Sequence, residues 1–323
     1  MNNQILSAPI LFLIFNRPEM TRKSFQVIRG VRPKKLYIAA DGPRTDVAGE
    51  DRIVEEVRSI ISEVDWDCEL KTLFRNENLG CRDAVSSAIN WFFENEEKGI
   101  IIEDDILPSN SFFRFCDELL LRYENDSSIG MISGCNLVAN IYSVNESYLF
   151  TKYGHIWGWA TWRRAWNLYD IDMRTFDKKT IKGGGLFDFH KEGLFFRSYW
   201  SRVFKLVKLG KINTWDYQWT YALWSNNLMS ISPSVNLIEN IGFNTLNATH
   251  VTSAVPDYIV LNPKAEIKFP LKHPSKLKRN ILFDELEKNI VFDISLKSFI
   301  KNAIRSTPVY FLVKVYKKFK NKL

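Results

Sequence analysis

The sequence is short of the residues and motifs that define several large protein classes. It has 4 cysteines in 323 residues, and none forms a Cys-x-x-Cys pair, which argues against a zinc knuckle and a dense disulfide framework. Widely spaced free thiols are typical of a reducing cytoplasm. No apolar run is long enough to span a bilayer, and the N-terminus lacks the basic region and cleavage site of a signal peptide. We therefore expect a cytoplasmic protein.

Two nucleotide-binding fingerprints are also missing. No Gly-x-Gly-x-x-Gly motif follows the first predicted strand, and no P-loop occurs in the chain. These absences argue against a nicotinamide-dependent dehydrogenase and against a Walker-type ATPase. Any nucleotide chemistry must therefore depend on other residues.

Positive charge is concentrated in the last part of the chain. Residues 264–323 hold 15 Lys and Arg against 5 Asp and Glu, so this part carries +10 although the whole chain carries +7. The remaining 263 residues are mildly acidic, at −3. A nucleic-acid-binding groove across an acidic body is not expected, despite a sequence pI of about 9.1.

The basic part also differs in its pattern, and we predict a boundary between a domain at 1–263 and an extension at 264–323. Within the extension, residues 297–320 interleave apolar side chains with seven Lys or Arg, and Pro308 divides the stretch. Such basic amphipathic helices bind anionic membrane surfaces. The alternative is a helix pair packed on its own domain, with the lysines facing water. The first interpretation predicts a peripheral protein on the inner face of the membrane.

Before this boundary, buried strands alternate with amphipathic helices. This alternation predicts an α/β fold with a doubly wound, mostly parallel sheet. The predicted strands are 10–15, 36–40, 68–74, 100–102, 129–133 and 231–237. The predicted helices are 18–28, 50–62, 83–94, 111–123 and 196–209, with another helix after 219.

The most informative segment is Gly-Ile-Ile-Ile-Glu-Asp-Asp at 99–105. Its three β-branched residues predict a strand buried on both faces. Glu103, Asp104 and Asp105 follow at once, and three adjacent carboxylates repel one another. A hard divalent cation with its phosphates would relieve this repulsion at the carboxyl end of a parallel strand. The alternative is a solvated acidic turn.

Other predicted strands also end in polar residues. Asn16 and Arg17, Asp41 and Arg44, and Asn78 and Arg82 follow the first three strands. In an open parallel sheet these ends meet at one edge, so they predict a single ligand site. Arg44 and Arg82 are candidates for binding diphosphate oxygens, which guanidinium groups do well.

A second unusual segment is rich in glycine and tryptophan. Trp157 and Trp159 lie in Tyr-Gly-His-Ile-Trp-Gly-Trp-Ala-Thr-Trp at 153–162. Their rings are candidates for stacking on an acceptor sugar, and burial against the sheet is the alternative.

Taken in order, these motifs are similar to those of a known family. They are Phe-Asn-Arg-Pro at 15–18, Ala-Asp-Gly at 40–42, Glu-Asp-Asp at 103–105 with Leu-Pro-Ser-x-x-Phe-Phe at 107–113, Gly-Trp at 158–159 and Trp-Asp-x-x-Trp at 215–219. Over roughly residues 8–250 the chain resembles nucleotide-sugar-dependent glycosyltransferases of the GT-A fold. Within that fold it resembles the N-acetylglucosaminyltransferase I type and related bacterial sugar transferases.

The resemblance implies roles for residues of the donor site. Arg17 and Asp41 would hold the uracil base of a UDP-sugar, and Asp104 would contact the ribose. Asp105 would bind Mn²⁺, or Mg²⁺ in its place. Asn78 and Glu103 complete the predicted donor site.

The resemblance also implies a catalytic base and a second metal ligand. Asp216 would take the proton of the acceptor hydroxyl, and a helix N-cap is the alternative because a helix follows it. His250 lies where many members of the fold have a metal-binding histidine, and a partly buried hydrogen-bonding histidine is the alternative. A single carboxylate base predicts inversion of the anomeric centre.

We therefore expect an enzyme, a hexosyl- or N-acetylhexosaminyltransferase. It would act on a saccharide or lipid-linked saccharide acceptor in surface polysaccharide biosynthesis, which is the pathway the resemblance implies. The leading alternative is a nucleotidyltransferase that makes sugar nucleotides. Such enzymes usually have a glycine-rich loop with Arg and Lys after the first strand, where this chain has Asn-Arg-Pro-Glu at 16–19. A non-catalytic sugar-binding domain is disfavoured by the intact carboxylates.

Overall fold

The computed structural model describes residues 6–176, 189–243 and 255–295. The predicted metal ligand His250 and the predicted helices at 297–320 lie outside these residues, as does the Gly-Gly-Gly segment at 183–185. None of the described helices is long and apolar enough to cross a membrane.

The described chain alternates strands and helices through its first half, as the apolar pattern predicts. The strands are β1 Ile10–Ile14, β2 Lys35–Ala40, β3 Glu69–Phe74, β4 Lys98–Glu103, β5 Ile106–Pro108, β6 Ile129–Ser133, β7 Tyr148–Thr151, β8 Trp159–Trp162, β9 Met229–Pro233 and β10 Ile238–Asn240. The helices are α1 Pro18–Val31, α2 Glu50–Arg58, α3 Gly80–Asn95, α4 Asn110–Arg122, α5 Arg163–Trp166, α6 Leu194–Lys208, α7 Asp216–Ser225, α8 Asp257–Val260 and α9 Ile281–Ile290.

Eight of these strands form one mixed, mostly parallel sheet, which confirms the predicted fold class. Its order is β3-β2-β1-β4-β8-β6-β9-β7. The first four strands are parallel to one another, and β6 and β9 are also parallel. The antiparallel strand β8 joins the two parallel groups, and β7 is an antiparallel edge. The carboxyl ends of β1, β2, β3 and β4 therefore lie along one edge of the sheet.

Helices cover both faces of the sheet because its central strands are apolar on both sides. Along β1, Ile10, Phe12 and Ile14 belong to one core, which includes residues of α1 and α4. Leu11 and Leu13 belong to the other core, which includes residues of α3, α6 and α7. Removing both faces of such a strand from water is a main source of stability for the edge that carries the site.

The first part of the basic extension lies against this sheet. Ile267 and Leu271 are buried in one core, and Ile294 is buried in the other. The backbone amide of Asn280 donates to the carbonyl of Phe150 in the edge strand β7, at 2.7 Å. The predicted boundary after residue 263 stays a prediction.

A small second sheet lies beside the acidic segment. Strand β10 pairs antiparallel with β5, which begins directly after Asp105. The amide of Ile241 donates to the carbonyl of Asp105, at 2.9 Å. This pairing, which the sequence did not predict, brings the chain from β10 to Phe243 next to the carboxylates.

Candidate functional site

The predicted convergence of the strand ends produces a cavity of about 630 Å³. Its floor is made by small apolar side chains of β2 and α3, including Ala39, Ala84 and Ala88. Polar groups from the strand ends and neighbouring loops surround this floor: Asn16, Arg17, Asp41, Arg44, Arg75, Asn78, Glu103, Asp104 and Asn213. Its volume is within the range of small-molecule sites.

Two carboxylates of the acidic segment share one guanidinium group. Nη1 of Arg17 lies 2.9 Å from Oδ2 of Asp105 and 3.4 Å from Oδ1 of Asp104. All three side chains are less than 20% exposed. Arg17, which the resemblance places on the uracil, therefore contacts the acidic segment in this structure.

Glu103 has no hydrogen-bond or ion-pair partner among the described residues. Burial, followed by the charges of Asp105, Asp104 and Asp216, raises the pKa of Glu103 well above its usual range. Burial and the charge of Asp105 raise the pKa of Asp104 to about 7, against the opposing effect of Arg17. Burial also raises the pKa of Asp105, again opposed by Arg17. Ionising all three carboxylates together would therefore place more negative charge here than the guanidinium of Arg17 balances.

Asp41 is occupied by the protein's own backbone. Its carboxylate accepts hydrogen bonds from the amides of Leu79 at 3.0 Å and Gly80 at 2.9 Å, and from Nδ2 of Asn78 at 3.0 Å. It also accepts from the amide of Gly42 at 3.0 Å. Because these amides stand at the start of α3, Asp41 fills the first-turn donors of that helix. The carboxylate that the resemblance places on uracil has a structural role here, and Asn78 is fixed to it.

Arg44 and Arg82 each have a carboxylate partner outside the acidic segment. Nη2 of Arg44 pairs with the buried carboxylate of Glu50 at 2.5 Å, and Nδ2 of Asn16 donates to the same carboxylate at 2.8 Å. Arg44 still lines the cavity. Arg82 pairs with Asp172 at 2.9 Å and is not among the residues that line the cavity.

Asp216 stands at the N-terminus of α7 on the side of Glu103. Its N-cap position is taken by Trp215, so Asp216 is the first helical residue and not the N-cap. The hydroxyl of Thr214 donates to its carboxylate. The charge of Asp216 raises the pKa values of Glu103 and Cys81, and Cys81 lines the cavity. The structure therefore brings the predicted base close to the acidic segment.

The two candidate acceptor tryptophans have different environments. Trp157 is partly buried, and its ring meets Phe243 edge-on with centroids 5.5 Å apart. Trp159 has no exposed surface. It stacks on Trp215, with centroids 5.7 Å apart, and also packs against Trp219. Since no face of Trp159 is open to a sugar, the structure favours the alternative of core packing for this residue.

One close approach of backbone fixes the position of Asp105. A Cβ on Gly242 would clash with the carboxylate of Asp105, so any larger residue here would displace that side chain. His250 lies outside the described residues, seven positions further along the chain. Its predicted role as a metal ligand stays a prediction.

Several site residues escaped the sequence analysis. Glu50, which binds Arg44 and Asn16, lies at the start of an amphipathic helix, where the pattern predicts that an acidic residue faces solvent. Arg75 lines the cavity directly after β3, and Asn213 lines it from the loop before α7. The polar ends of strands were the available signal for Arg75. No local pattern marked Glu50 or Asn213.

The chemistry of the acidic segment fits a divalent cation. Its three carboxylates supply the oxygen ligands that Mg²⁺ and Mn²⁺ prefer, and one of them has no partner in the described chain. In the described part of the chain, no three His, Cys, Asp or Glu side chains form a ready-made metal site.

Comparisons with known proteins give only weak similarities. No family model matches the sequence, and no curated protein matches it significantly. Among solved structures, UDP-glucose pyrophosphorylase complexed with UDP-glucose is 12% identical, over 70% of this chain and 90% of that one, with a TM-score of 0.34. Mouse xyloside xylosyltransferase 1 is 10% identical, over 67% and 81%, with a TM-score of 0.34. HddC from Yersinia pseudotuberculosis is 12% identical, over 49% and 77%, with a TM-score of 0.29.

Proposed function

We propose that this protein is a metal-dependent glycosyltransferase of the GT-A type that uses a UDP-sugar donor. The observation that carries the proposal is the partly buried acidic segment at the cavity, in which Glu103 has no partner among the described residues and Asp216 lies nearby. Perturbed carboxylates that gather in a cleft are typical of functional sites. The acceptor is a hydroxyl of a saccharide or of a lipid-linked saccharide.

The donor occupies the cavity, with its base over the alanine floor and its diphosphate towards the acidic segment. Ala39, Ala84 and Ala88 leave room for a flat ring beside β2 and α3. Asn78 and the amides that follow it define the outer wall, and Arg44 lies within reach of the phosphates. Asp41 supports this wall from behind, because its carboxylate already accepts hydrogen bonds from the backbone.

Asp105 would hold Mn²⁺ or Mg²⁺, together with Asp104 or Glu103 and, in our proposal, His250. When bound, the cation would neutralise the charge that develops on the departing diphosphate. Arg17 contributes a fixed positive charge beside the same carboxylates. Its guanidinium also orients Asp105, which it contacts at 2.9 Å.

Asp216 acts as the general base. Its carboxylate accepts the proton of the acceptor hydroxyl while the hydroxyl oxygen bonds to the anomeric carbon of the sugar. The bond from that carbon to the diphosphate breaks at the same time, and UDP leaves with the electron pair. Because attack and departure occur on opposite faces, the anomeric centre is inverted. In this proposal the partly buried ring of Trp157 contacts the acceptor.

The biological setting is proposed from the motifs and the charge pattern. We place the reaction in the assembly of bacterial surface polysaccharides, on the cytoplasmic side of the membrane. The basic residues at 297–320 would hold the protein there as a peripheral protein.

The decisive experiment offers the purified protein a panel of UDP-sugars with Mn²⁺ and measures UDP release. Release that requires Mn²⁺ and is lost in Asp216→Asn supports the proposal. The same reactions are assayed with sugar 1-phosphates and UTP, and pyrophosphate is measured. Pyrophosphate release without UDP release would identify a nucleotidyltransferase instead. No release from any donor, with no binding of UDP by calorimetry, would refute nucleotide-sugar chemistry altogether.

A further inference from the structure

Away from the cavity, exposed aliphatic side chains gather on one surface. Val260 and Leu261 at the end of α8 are 63% and 57% exposed, and Ile281 and Leu282 at the start of α9 are 51% and 58% exposed. Large aliphatic side chains exposed to this degree are ordinary when they stand singly. A group of them indicates a binding surface. We define the apolar patch as Ile141, Val260, Leu261, Leu277, Ile281 and Leu282.

Hydrogen bonds hold the three segments of the apolar patch side by side. The amide of Asn140 donates to Oδ1 of Asn262, at 2.7 Å, so Ile141 lies next to the end of α8. The side chain of Asn280 bonds to the hydroxyl of Tyr142, at 2.9 Å, so Ile141 also lies next to the start of α9. The patch is therefore a surface built from three segments.

The border of the patch is basic. Lys276 and Lys278 flank Leu277, are exposed, and have no acidic partner in the described chain. Three other cations between residues 264 and 288 have acidic partners: Lys264 pairs with Glu239, Arg279 with Asp284 and Lys288 with Glu285. Two unpaired lysines thus adjoin the exposed aliphatic side chains. Asp257, at the other end of α8, is an exposed acid.

We propose that the apolar patch docks on an anionic lipid surface, with its aliphatic side chains in the interface and its lysines on the headgroups. Exposed aliphatic side chains beside lysines are the composition of interfacial segments. The chain's own residues at 296–323 carry eight Lys or Arg and no Asp or Glu, so they would repel this border. A second copy would bring lysine against lysine. Nucleic acid is disfavoured because aliphatic side chains offer no ring for a base to stack on.

The apolar patch is connected to the acidic segment through strand β10. Asn262, at its border, accepts a hydrogen bond on its carbonyl from the side chain of Asn236. Asn236 precedes β10, whose next residue, Ile241, bonds to Asp105. Docking would therefore bring the site close to the lipid surface. A lipid-linked acceptor follows from this placement only if the proposed function holds.

Flotation of the full-length protein with vesicles tests the docking. Vesicles of phosphatidylglycerol and phosphatidylcholine are compared with vesicles of phosphatidylcholine alone. The double variant Ile281→Ser with Leu282→Ser should weaken partitioning about 25-fold. At each position the serine would forfeit about half of the free energy that full burial of an aliphatic side chain provides. The double variant Lys276→Gln with Lys278→Gln should weaken partitioning by about fivefold per lysine. Added salt should reduce the difference in partitioning between this variant and the unsubstituted protein.

Matched controls change the same residue types elsewhere on the surface. Leu121→Ser with Leu209→Ser removes two exposed leucines, and Lys23→Gln with Lys34→Gln removes two exposed lysines. Neither should change partitioning by more than twofold. Lys314→Gln, Lys317→Gln and Lys318→Gln measure the separate contribution of the basic extension.

The outcomes are distinct. Loss of partitioning in the patch variants alone, with unchanged melting temperatures, supports the docking. Partitioning of the patch variants that equals that of the unsubstituted protein, or no binding to anionic vesicles at low salt, overturns it. A dimer in solution that the patch variants dissociate identifies a second copy as the partner and also overturns it. Without vesicles, UDP release should be the same in all patch variants as in the unsubstituted protein. If no protein releases UDP, the proposed function is refuted, but the docking result is unaffected.

Discussion

Replacing Asp41 with alanine separates a structural role from a ligand-binding role. The carboxylate accepts hydrogen bonds from the amides of Leu79 and Gly80 and from the side chain of Asn78. Loss of a helix-terminal cap costs about 0.5–2 kcal/mol, and loss of a further hydrogen bond to a charged group costs about 1.5 kcal/mol. Since the site is partly exposed, we expect Asp41→Ala to lower the free energy of unfolding by about 2 kcal/mol.

Urea denaturation followed by tryptophan fluorescence and by circular dichroism measures this change. Agreement of the two probes establishes that the transition is two-state, which a chain of this length need not satisfy. Asp67→Ala is the matched control, because Asp67 is exposed and makes no hydrogen bond or ion pair in the described chain. It should change the free energy by less than about 0.5 kcal/mol.

Calorimetry with UDP then completes the test, at a temperature where both proteins are folded. In our interpretation Asp41→Ala weakens UDP binding only moderately, because the wall at Asn78 loosens. If Asp41→Ala is as stable as the unsubstituted protein but no longer binds UDP, our reasoning is refuted, and Asp41 binds the base directly.

Three further predictions concern other carboxylates. Asp105→Asn should abolish the Mn²⁺-dependent part of UDP binding while the circular dichroism spectrum is unchanged; calorimetry that shows the same metal dependence would exclude Asp105 as a ligand. Asp216→Asn should keep UDP binding and lower turnover by at least about 100-fold, and NMR of the product from the unsubstituted enzyme should show inversion, so that a retained configuration would contradict a single displacement. Burial raises the pKa of Asp284 from 3.8 to about 6, so ionisation of this carboxyl opposes folding. Its contribution to the free energy of unfolding is therefore lost as the pH rises from about 4 through 6. The free energy of unfolding of Asp284→Asn relative to the unsubstituted protein should therefore increase by about 1 kcal/mol between pH 5 and pH 7.5, and urea titrations that give a pH-independent difference would show that Asp284 titrates normally.

The parallel half of the sheet was predictable because its strands are apolar along their whole length. Runs such as Ile10–Ile14 fit a strand covered on both faces, and the helices between them have one apolar stripe. Strand β8 was not predicted. Its Trp159 and Trp162 face opposite cores, and a short tryptophan-rich segment gives no local sign of the strands between which it pairs. Pairing partners distant in sequence are set by the tertiary structure and not by local propensity.

The meeting of the polar strand ends at one cavity was also predictable, but the partners of their side chains were not. Strand ends carry polar residues for two reasons, because they face a ligand or because they hold a neighbouring loop. Asp41 belongs to the second group, and Arg44 is largely tied to Glu50. By residue type and position, Asp41 and Arg44 could each bind a ligand or hold a neighbouring loop. Only the distances to Leu79 and Glu50 distinguish the roles, and these depend on how separate loops meet.

The acidic segment differs from the other buried charges of this protein. Elsewhere, Lys152 pairs with Glu192, and His155 lies 2.8 Å from the fully buried Glu287. These pairs follow the rule that a buried charge has a partner, since an unpaired one costs several kcal/mol. Glu103, which is partly buried at the end of β4, has no such partner among the described residues. Packing alone would have favoured an apolar residue at the end of β4. We propose that a positively charged ligand relieves the repulsion that would arise if these carboxylates ionised together, and that an anion arrives with it in the adjoining cavity.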